Sequence, residues 1–361
     1  MNDFMFIFGR DPKLSLLEAV SYLKARSINY KFKELNDFVC VFFLQDLDFN
    51  QVIKDLGGTV KIGKVMGDLD QIELFDKIKY GISVYNGSDK LLKEQLKKRF
   101  KEERIRAVYK SSSRKENALS PSESIKLDLE FLVCDNIISK VIAVYNPKEY
   151  EKRDLNRPVQ KPIHQISLRL AKIMINLSQI KNGEILLDPF CGIGTILQEA
   201  LLMDIGVIGV DNNKGMVNAA ERNLKWLRKG RWTVINEDSS RVKLDKKVNA
   251  IVTEPYLGPF LKEEVISESK ASSVISGLEE LYFGVLFNLS KYLIEKGKVV
   301  IIVPRFNTNK GKKTLNFDRI IDKLGFRVYN ALEEVKIPIL YKPEGSKIER
   351  LMYVLERNSK I

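Results

Sequence analysis

Gly183-Glu184-Ile185-Leu186-Leu187-Asp188-Pro189-Phe190-Cys191-Gly192-Ile193-Gly194-Thr195-Ile196-Leu197-Gln198-Glu199-Ala200 decides how this chain is read. Ile185-Leu186-Leu187 is a short apolar run stopped by Asp188-Pro189, which predicts a buried strand with a sharp exit. Gly192 and Gly194 predict a tight turn whose backbone a ligand can touch, because no Cβ stands in the way. Ile196, Leu197, Ala200 and Leu201 then predict a helix from Thr195. Strand, glycine loop and helix in that order form the first half of a nucleotide-binding βαβ unit.

The next strand, Gly206 to Val210, stops at Asp211, which lies 23 positions after Asp188. That is close to the ~20-residue spacing at which a carboxylate meets a ribose hydroxyl. A dinucleotide loop requires G-x-G-x-x-G, and Leu197 occupies the third glycine's place, which weakens a pyrophosphate reading. S-adenosylmethionine carries adenine and ribose but no phosphate, so two glycines and one ribose acid suit it better. Packing alone accounts for many glycine pairs in strand-to-helix turns. The coupled set Asp188, Gly192, Gly194 and Asp211 is what favours a cofactor.

At 361 residues the length predicts two or three domains. With 44% hydrophobic and 30% charged residues, the composition is that of a soluble globular protein. Sixty basic against 47 acidic residues leave a charge of +13. This points towards a polyanionic partner, a lysine-rich surface being the bland alternative. Cys40, Cys134 and Cys191 are widely spaced, which argues for a reducing compartment and against a disulfide frame or zinc cluster. His164 is the only histidine, so a His-rich metal site is excluded and no metal is expected. No run of 18 apolar residues and no signal peptide is present, so no membrane and a cytoplasmic location are expected.

In chain order, Phe4–Gly9 predicts a strand and Pro12–Ala25 an amphipathic helix with Leu14, Leu17, Val20 and Leu23 on one face. Phe38–Leu44 predicts a buried strand, Phe49–Leu56 a helix closed by Gly57-Gly58, and Val60–Val65 a third strand. This is a small α+β module. A second unit begins at Tyr80, with a strand over Gly81–Tyr85 and a helix from Ser88 or Asp89 to about Phe100. Between Lys90 and Lys115 eleven basic residues face three acidic ones. Ser111, Ser112 and Ser113 add hydroxyls able to contact phosphate oxygens. A solvated helix face is the ordinary meaning of such a run, and its density favours an RNA-backbone patch. Leu119–Asp128 predicts a helix, and Glu130–Cys134 and Ile138–Tyr145 predict strands. Pro147–Ile163 is a polar, proline-bearing connector, the best domain boundary, and His164 beside it reads as structural.

After the helix Ser167–Ser178 and the glycine loop come a helix over Met216–Leu227 and a strand over Trp232–Asn236. Asp238 follows at that strand's carboxyl end, where it either accepts an adenine amino group or belongs to a surface turn. Val248–Thr253 predicts the fourth core strand, ending in Glu254-Pro255-Tyr256-Leu257-Gly258-Pro259. Carboxylate, proline carbonyl and aromatic can together hold an exocyclic amine and stack on its base. The same three residues also make a rigid turn with an exposed acid. Leu278–Ile294 (helix), Gly297–Val303 (strand), Phe317–Leu324 (helix), Phe326–Tyr329 and Leu351–Leu355 (strands) close a sheet of five parallel strands plus a terminal hairpin.

These motifs together resemble the THUMP-domain RNA methyltransferases, above all those making N2-methylguanosine at position 10 of tRNA. The resemblance rests on F-I-F-G-R-D-P-K-L-S-L-L-E (Phe6–Glu18), L-G-G-T-V-K-I-G-K (Leu56–Lys64) and K-Y-G-I-S-V-Y (Lys79–Tyr85). It continues in R-D-L-N-R-P (Arg153–Pro158), L-A-K-I-M-I-N-L-S (Leu170–Ser178), D-P-F-C-G-I-G-T-I-L-Q-E-A (Asp188–Ala200) and I-L-Y-K-P-E-G-S-K-I (Ile339–Ile348). It implies an α/β fold: a Rossmann-like S-adenosylmethionine methyltransferase domain with a mostly parallel seven-stranded sheet, preceded by an α+β ferredoxin-like module and a THUMP domain. The implied boundaries are 1–75 for the N-terminal module, 76–146 for THUMP, 147–165 for a linker and 166–361 for the methyltransferase.

The implied catalytic residues are Glu254, Pro255 and Tyr256. The implied cofactor contacts are Asp188, Pro189, Phe190, Gly192, Gly194, Thr195, Asp211, Asn212, Asp238 and Ser239. For RNA they are Lys97, Lys98, Arg99, Arg104, Arg106, Lys110 and Arg114. tRNA is the implied partner, with a small activator subunit in some relatives and a monomer otherwise. The family's D-P-P-Y is Thr253-Glu254-Pro255-Tyr256 here. Either Glu254 stands for the aspartate, or Tyr256 keeps the aromatic register and Thr253 takes the acid's place. Methylation of another base or of rRNA, and a catalytically weakened SAM- and tRNA-binding protein, are the alternatives.

Overall fold

Phe4, Met5, Phe6 and Ile7 are all buried, an unbroken apolar run that needs cover on both faces. They lie in β1 (Asn2–Phe8), which α1 (Pro12–Ala25), β2 (Tyr30–Asn36), β3 (Val39–Leu44), α2 (Phe49–Asp55) and β4 (Thr59–Val65) follow. The structure, a computed structural model, describes every residue except 70–71, 73–74, 114–116, 161–165, 262, 344 and 359–361. Arg114, Lys115, His164 and Glu344 therefore lie outside the described residues. Two units are formed, one of Met1–Ala19 with Ser27–Arg153 and the other of Val20–Arg26 with Asp154–Ile361.

The first unit continues with β5 (Lys77–Asn86), α3 (Lys90–Glu102), β6 (Arg106–Tyr109), α4 (Pro121–Ser124), β7 (Leu129–Cys134), β8 (Ile137–Val144) and α5 (Pro147–Asn156). One eight-stranded sheet runs β2-β3-β1-β4-β8-β7-β5-β6. Its pairs are antiparallel except β5–β6 and β5–β7. Met5, Ile7 and Val39 share a core with Leu132 and Cys134, so strands from both halves of this sequence bury one another.

Three local expectations fail here. β2 carries no strand prediction: its alternation of Tyr30 and Phe32 with Lys31 and Lys33 is short and breaks at Glu34-Leu35, on an edge strand with one wet face. The expected helix Leu119–Asp128 shrinks to α4. Asp128 is drawn to β5 instead: its Oδ2 accepts the Lys79 N–H at 2.7 Å, and its own N–H reaches the Lys79 carbonyl at 3.0 Å. The expected connector begins with α5, where Pro147 fills the first helical position without losing a hydrogen bond.

The second unit holds α6 (Leu168–Leu177), β9 (Ile185–Asp188), α7 (Thr195–Leu202), β10 (Gly206–Asp211), α8 (Lys214–Leu227), β11 (Trp232–Asn236), β12 (Val248–Thr253) and β13 (Val265–Ile266). α9 (Glu268–Ser290), β14 (Leu293–Thr308), β15 (Gly311–Thr314), α10 (Phe317–Lys323), β16 (Phe326–Val328), β17 (Ile339–Tyr341) and β18 (Glu349–Arg357) follow. Its sheet runs β11-β10-β9-β12-β14-β18-β16. The first five strands are parallel, and β18 is antiparallel to both β14 and β16. Short strands β13 and β15 on β14, and β17 on β18, make the sheet mixed and ten-stranded rather than a mostly parallel seven. α9 starts ten residues before the expected Leu278, where the Ser267 hydroxyl accepts the Lys270 N–H at 3.3 Å. α9 and α10 bury Leu278, Tyr282, Leu286 and Phe317 against Leu187, Ile251 and Val299. No helix among the described residues is long and apolar enough to cross a membrane.

From β9 the chain steps outward to β10 and β11, then returns to β12 on the other side of β9. β9 and β12 therefore flank the switch point, where open α/β sheets leave a crevice beyond the strands' carboxyl ends.

In the first unit, Lys61 and Glu130 form an ion pair at 2.5 Å with side chains 1% and 2% exposed. Lys61 Nζ also donates to the Leu119 carbonyl at 2.7 Å, and the Ser83 hydroxyl donates to Glu130 at 2.6 Å. Removing one partner leaves a buried charge alone. Lys61→Met is expected to cost ~3–5 kcal/mol in urea unfolding, and Lys61→Met with Glu130→Leu to recover a large part of it. A double variant no more stable than the single would contradict this account of the pair.

Candidate active site

Asp188 ends β9 and Thr253 ends β12, so adjacent strands deliver both to the switch point. The Thr253 hydroxyl donates to Asp188 Oδ1 at 2.7 Å, and the Phe190 N–H donates to the same oxygen at 3.1 Å. Asp188 is fully enclosed, and burial pushes its carboxyl up to about 7. The two hydrogen bonds pull it down, while the charges of Asp211 and Glu254 add to the rise.

The loop beyond Asp188 is shaped by Gly192, whose φ of +52° favours glycine. A Cβ added there would meet nothing within 4 Å, so this backbone borders open space. Asp211, at the end of β10, accepts the Gly192 N–H on Oδ2 at 3.0 Å and the Asn213 N–H on Oδ1 at 2.9 Å. A carboxylate offers about four lone-pair positions, so acceptor capacity is left for a hydroxyl pair. Gly209 lets the loop close over β10, since a Cβ there would lie 2.5 Å from Leu197 Cδ1 and 2.9 Å from Cys191 Sγ. Gly194 is the cap of α7.

Other expected contacts take structural parts. The buried Ser239 donates to the Pro189 carbonyl at 2.5 Å and so fastens the loop. Thr195 is buried and accepts from Arg157 Nη1 at 3.4 Å. Asp238 closes its own turn, accepting the Ser240 N–H at 2.8 Å and hydroxyl at 2.7 Å and facing Arg241 at 3.3 Å. The Ser240 hydrogen bonds, then Arg241, hold its carboxyl below the usual range. Asn212 is exposed, and Phe190 is half-buried against the α9 core.

Beyond Thr253, the Glu254 side chain is 11% exposed and lies with Oε1 at 2.8 Å from Nε of Arg350 on β18. Neither atom has an aligned hydrogen bond, so charge rather than N–H direction holds the pair. Burial raises the Glu254 carboxyl above its ordinary value, and Arg350 opposes that rise. Pro255 is buried, whereas Tyr256 is 55% exposed. The Tyr256 carbonyl accepts the hydroxyl of Tyr282, a buried residue of α9, at 2.8 Å. The backbone of the acid–proline–aromatic turn is thus anchored while its ring stands in solvent.

In the first unit, Lys97, Lys98, Arg104, Arg106 and Lys110 are exposed. Arg99 is turned inward: it donates to the carbonyls of Leu69 and Ile72, the latter at 3.0 Å, and pairs with Glu103 at 2.6 Å.

Asn223, Arg157, Tyr282 and Arg350 escaped the sequence reading as site residues. Asn223 is fully buried in α8 beside Ala219, Ala220 and Leu224. Its amide donates to the carbonyls of Val159 (3.1 Å) and Ile193 (3.0 Å) and accepts the Val159 N–H (2.9 Å), clamping connector to loop. An asparagine on an apolar helix face was the available signal. Arg157 pairs with Asp154 at 2.7 Å within R-D-L-N-R-P.

Residues 156–305 match a family model described as the methyltransferase domain of RMKL-like proteins, and residues 49–222 match one described as a DNA methylase. A Methanothermobacter thermautotrophicus protein named tRNA (guanine(10)-N2)-dimethyltransferase is 34% identical over 194 residues, 50% of this chain and 54% of the relative. One of the same name from Methanocaldococcus jannaschii is 26% identical over 276 residues, 72% of this chain and 68% of the relative. The chain thus spans about half the length of the first of these. A structure titled TrmN from Thermus thermophilus is similar at 14% identity and a TM-score of 0.48, covering 98% of this chain and 99% of that one.

Burial raises the Asp188 carboxyl from the ordinary carboxylate range to about 7. Its contribution therefore falls as pH rises through that window. Relative to Asp188→Asn, the native protein is expected to lose ~2–4 kcal/mol between pH 4.5 and 8 in urea unfolding. Parallel pH profiles of the two proteins would rule out this account of Asp188.

Proposed function

We propose that this chain transfers a methyl group from S-adenosylmethionine to the N2 amino group of a guanosine in tRNA, at position 10. The observation that carries this reading is the Thr253–Asp188 hydrogen bond, which sets the turn Glu254-Pro255-Tyr256 beside the glycine loop at the switch point. The names of the relatives, tRNA (guanine(10)-N2)-dimethyltransferases, supply the acceptor.

The residues present fit the donor. Gly192 borders open space, and Asp211 retains lone pairs for ribose hydroxyls. When bound, S-adenosylmethionine supplies a methyl on a positive sulfur that leaves with the bond's electron pair. The acceptor nitrogen then needs only an available lone pair and somewhere to shed a proton.

A guanine amine is a poor nucleophile because its lone pair is delocalised into the ring. Accepting its protons on the Glu254 carboxylate and the Pro255 carbonyl favours a pyramidal nitrogen with the lone pair free. Tyr256, exposed on an anchored backbone, is placed to stack on the extruded base, which offsets part of the few kcal/mol of unstacking. On this reading residues 1–75 are a ferredoxin-like module, 76–146 a THUMP domain, 147–165 a linker and 166–361 the methyltransferase. Lys97, Lys98, Arg104, Arg106 and Lys110 meet the tRNA backbone, and the enzyme works in the cytoplasm.

The test is nucleoside mass spectrometry of tRNA and rRNA incubated with the protein and labelled S-adenosylmethionine. Label in mono- or dimethylguanosine of tRNA is expected. Label in methyladenosine or in rRNA would replace the acceptor, and tRNA binding without transfer would overturn the activity. Asp211→Ala is expected to weaken S-adenosylmethionine binding at least ~10-fold, about 1.4 kcal/mol, with tRNA affinity unchanged.

A further inference from the structure

Lys342 and Lys347, from the tail motif, and Arg350 just after it have no part in the reaction as described so far, yet each reaches a residue that follows β12. Lys342 pairs with Glu264 at 2.9 Å, Lys347 Nζ lies 6.0 Å from the Phe260 ring centroid, and Arg350 reaches Glu254 at 2.8 Å. The first two ties are at the surface, whereas the third is enclosed, with side chains 15% and 11% exposed. Arg350 is fixed in place by the β18–β14 pairing, where it sits opposite Pro304. The neighbouring Glu349 is already engaged by Arg305 and Lys312, both at 2.7 Å, which leaves Glu254 to Arg350.

We propose that Arg350 is a positioning residue for methyl transfer, holding the Glu254 carboxylate charged and in place for the acceptor amine; this rests on the function proposed above. An enclosed ion pair is weak evidence for stability, because desolvation consumes most of the attraction. Its place explains it better. The acceptor nitrogen sheds a proton as it gains its methyl, and an ionised carboxylate beside it can take that proton whereas a protonated one cannot. Among the described residues, Arg350 from β18, Asp188 from β9 and Tyr282 from α9 face Glu254. Asp188, held largely neutral below about pH 7, brings no positive charge, and the Tyr282 hydroxyl is committed to the Tyr256 carbonyl. Arg350 is the positive member of the set. Its Nε–H is not aligned on Oε1, so charge holds the pair at 2.8 Å.

The test compares native protein, Arg350→Gln and Arg350→Lys. The Glu254 carboxyl carbon is followed by NMR against pH in protein labelled at glutamate side chains, and Glu254→Gln assigns the signal. In Arg350→Gln its midpoint is expected about one pH unit or more above native, with Arg350→Lys between the two. The acid limb of kcat/KM for tRNA is expected to move the same way, lowering activity at pH 6 about 10-fold and restoring it by pH 9. S-adenosylmethionine binding is expected to stay native-like. An unchanged Glu254 midpoint, or a rate loss equal at every pH, would overturn the proposal. A native protein that methylates no tRNA while the Glu254 midpoint still moves would sink the tRNA activity and leave the Arg350–Glu254 coupling standing.

Discussion

One buried hydrogen bond, from the Thr253 hydroxyl to Asp188, fastens the carboxyl ends of two strands whose connections run in opposite directions. Everything at the site is placed relative to it. On one side the chain turns through Gly192 into α7. On the other it turns through Pro255 towards Tyr256, whose carbonyl is held from beneath by Tyr282. Breaking that bond would leave a fully enclosed aspartate with, among the described residues, the Phe190 N–H as its one hydrogen-bond donor, and a buried group that loses a partner costs desolvation that nothing repays.

Three carboxylates, Asp188, Asp211 and Glu254, gather at the ends of neighbouring strands, and each is handled by a different means. Asp188 is buried and drawn towards its neutral form, with a hydroxyl and one backbone N–H on it. Asp211 is half-exposed and spans two backbone N–H groups, which binds the glycine loop to the end of β10. Glu254 is enclosed but faces a guanidinium. Environments that pull like groups apart in ionisation are how a site obtains distinct roles from one side-chain chemistry. Here Asp188 and Glu254 are both raised by burial, and a guanidinium opposes the rise at Glu254.

Much of this was legible in the residues. The apolar run Ile185-Leu186-Leu187, the two glycines and Asp211 place the glycine loop between β9 and α7, because strand burial and positive φ leave few other choices of residue. The order of strands after Asp211 gives the five parallel members of the second sheet. What stayed hidden depends on distant pairing. α4 is short because Asp128 bonds Lys79, and β2 exists because β3 offers it an edge. Arg350 lies 96 positions after Glu254, and no local pattern connects them. Arg99 looks like its basic neighbours in sequence but donates inward to Leu69 and Ile72. The bond from Ser239 to the Pro189 carbonyl, 50 positions away, likewise follows from the loops' meeting and not from residue type.

The most direct measurement is a crystal structure with S-adenosylhomocysteine and guanosine bound. The account predicts the ribose on Asp211 beside Gly192, and the guanine stacked on Tyr256 with its N2 within hydrogen-bond distance of Glu254 or the Pro255 carbonyl. A ribose held elsewhere, or a base whose amine points away from Glu254 and Pro255, would contradict it.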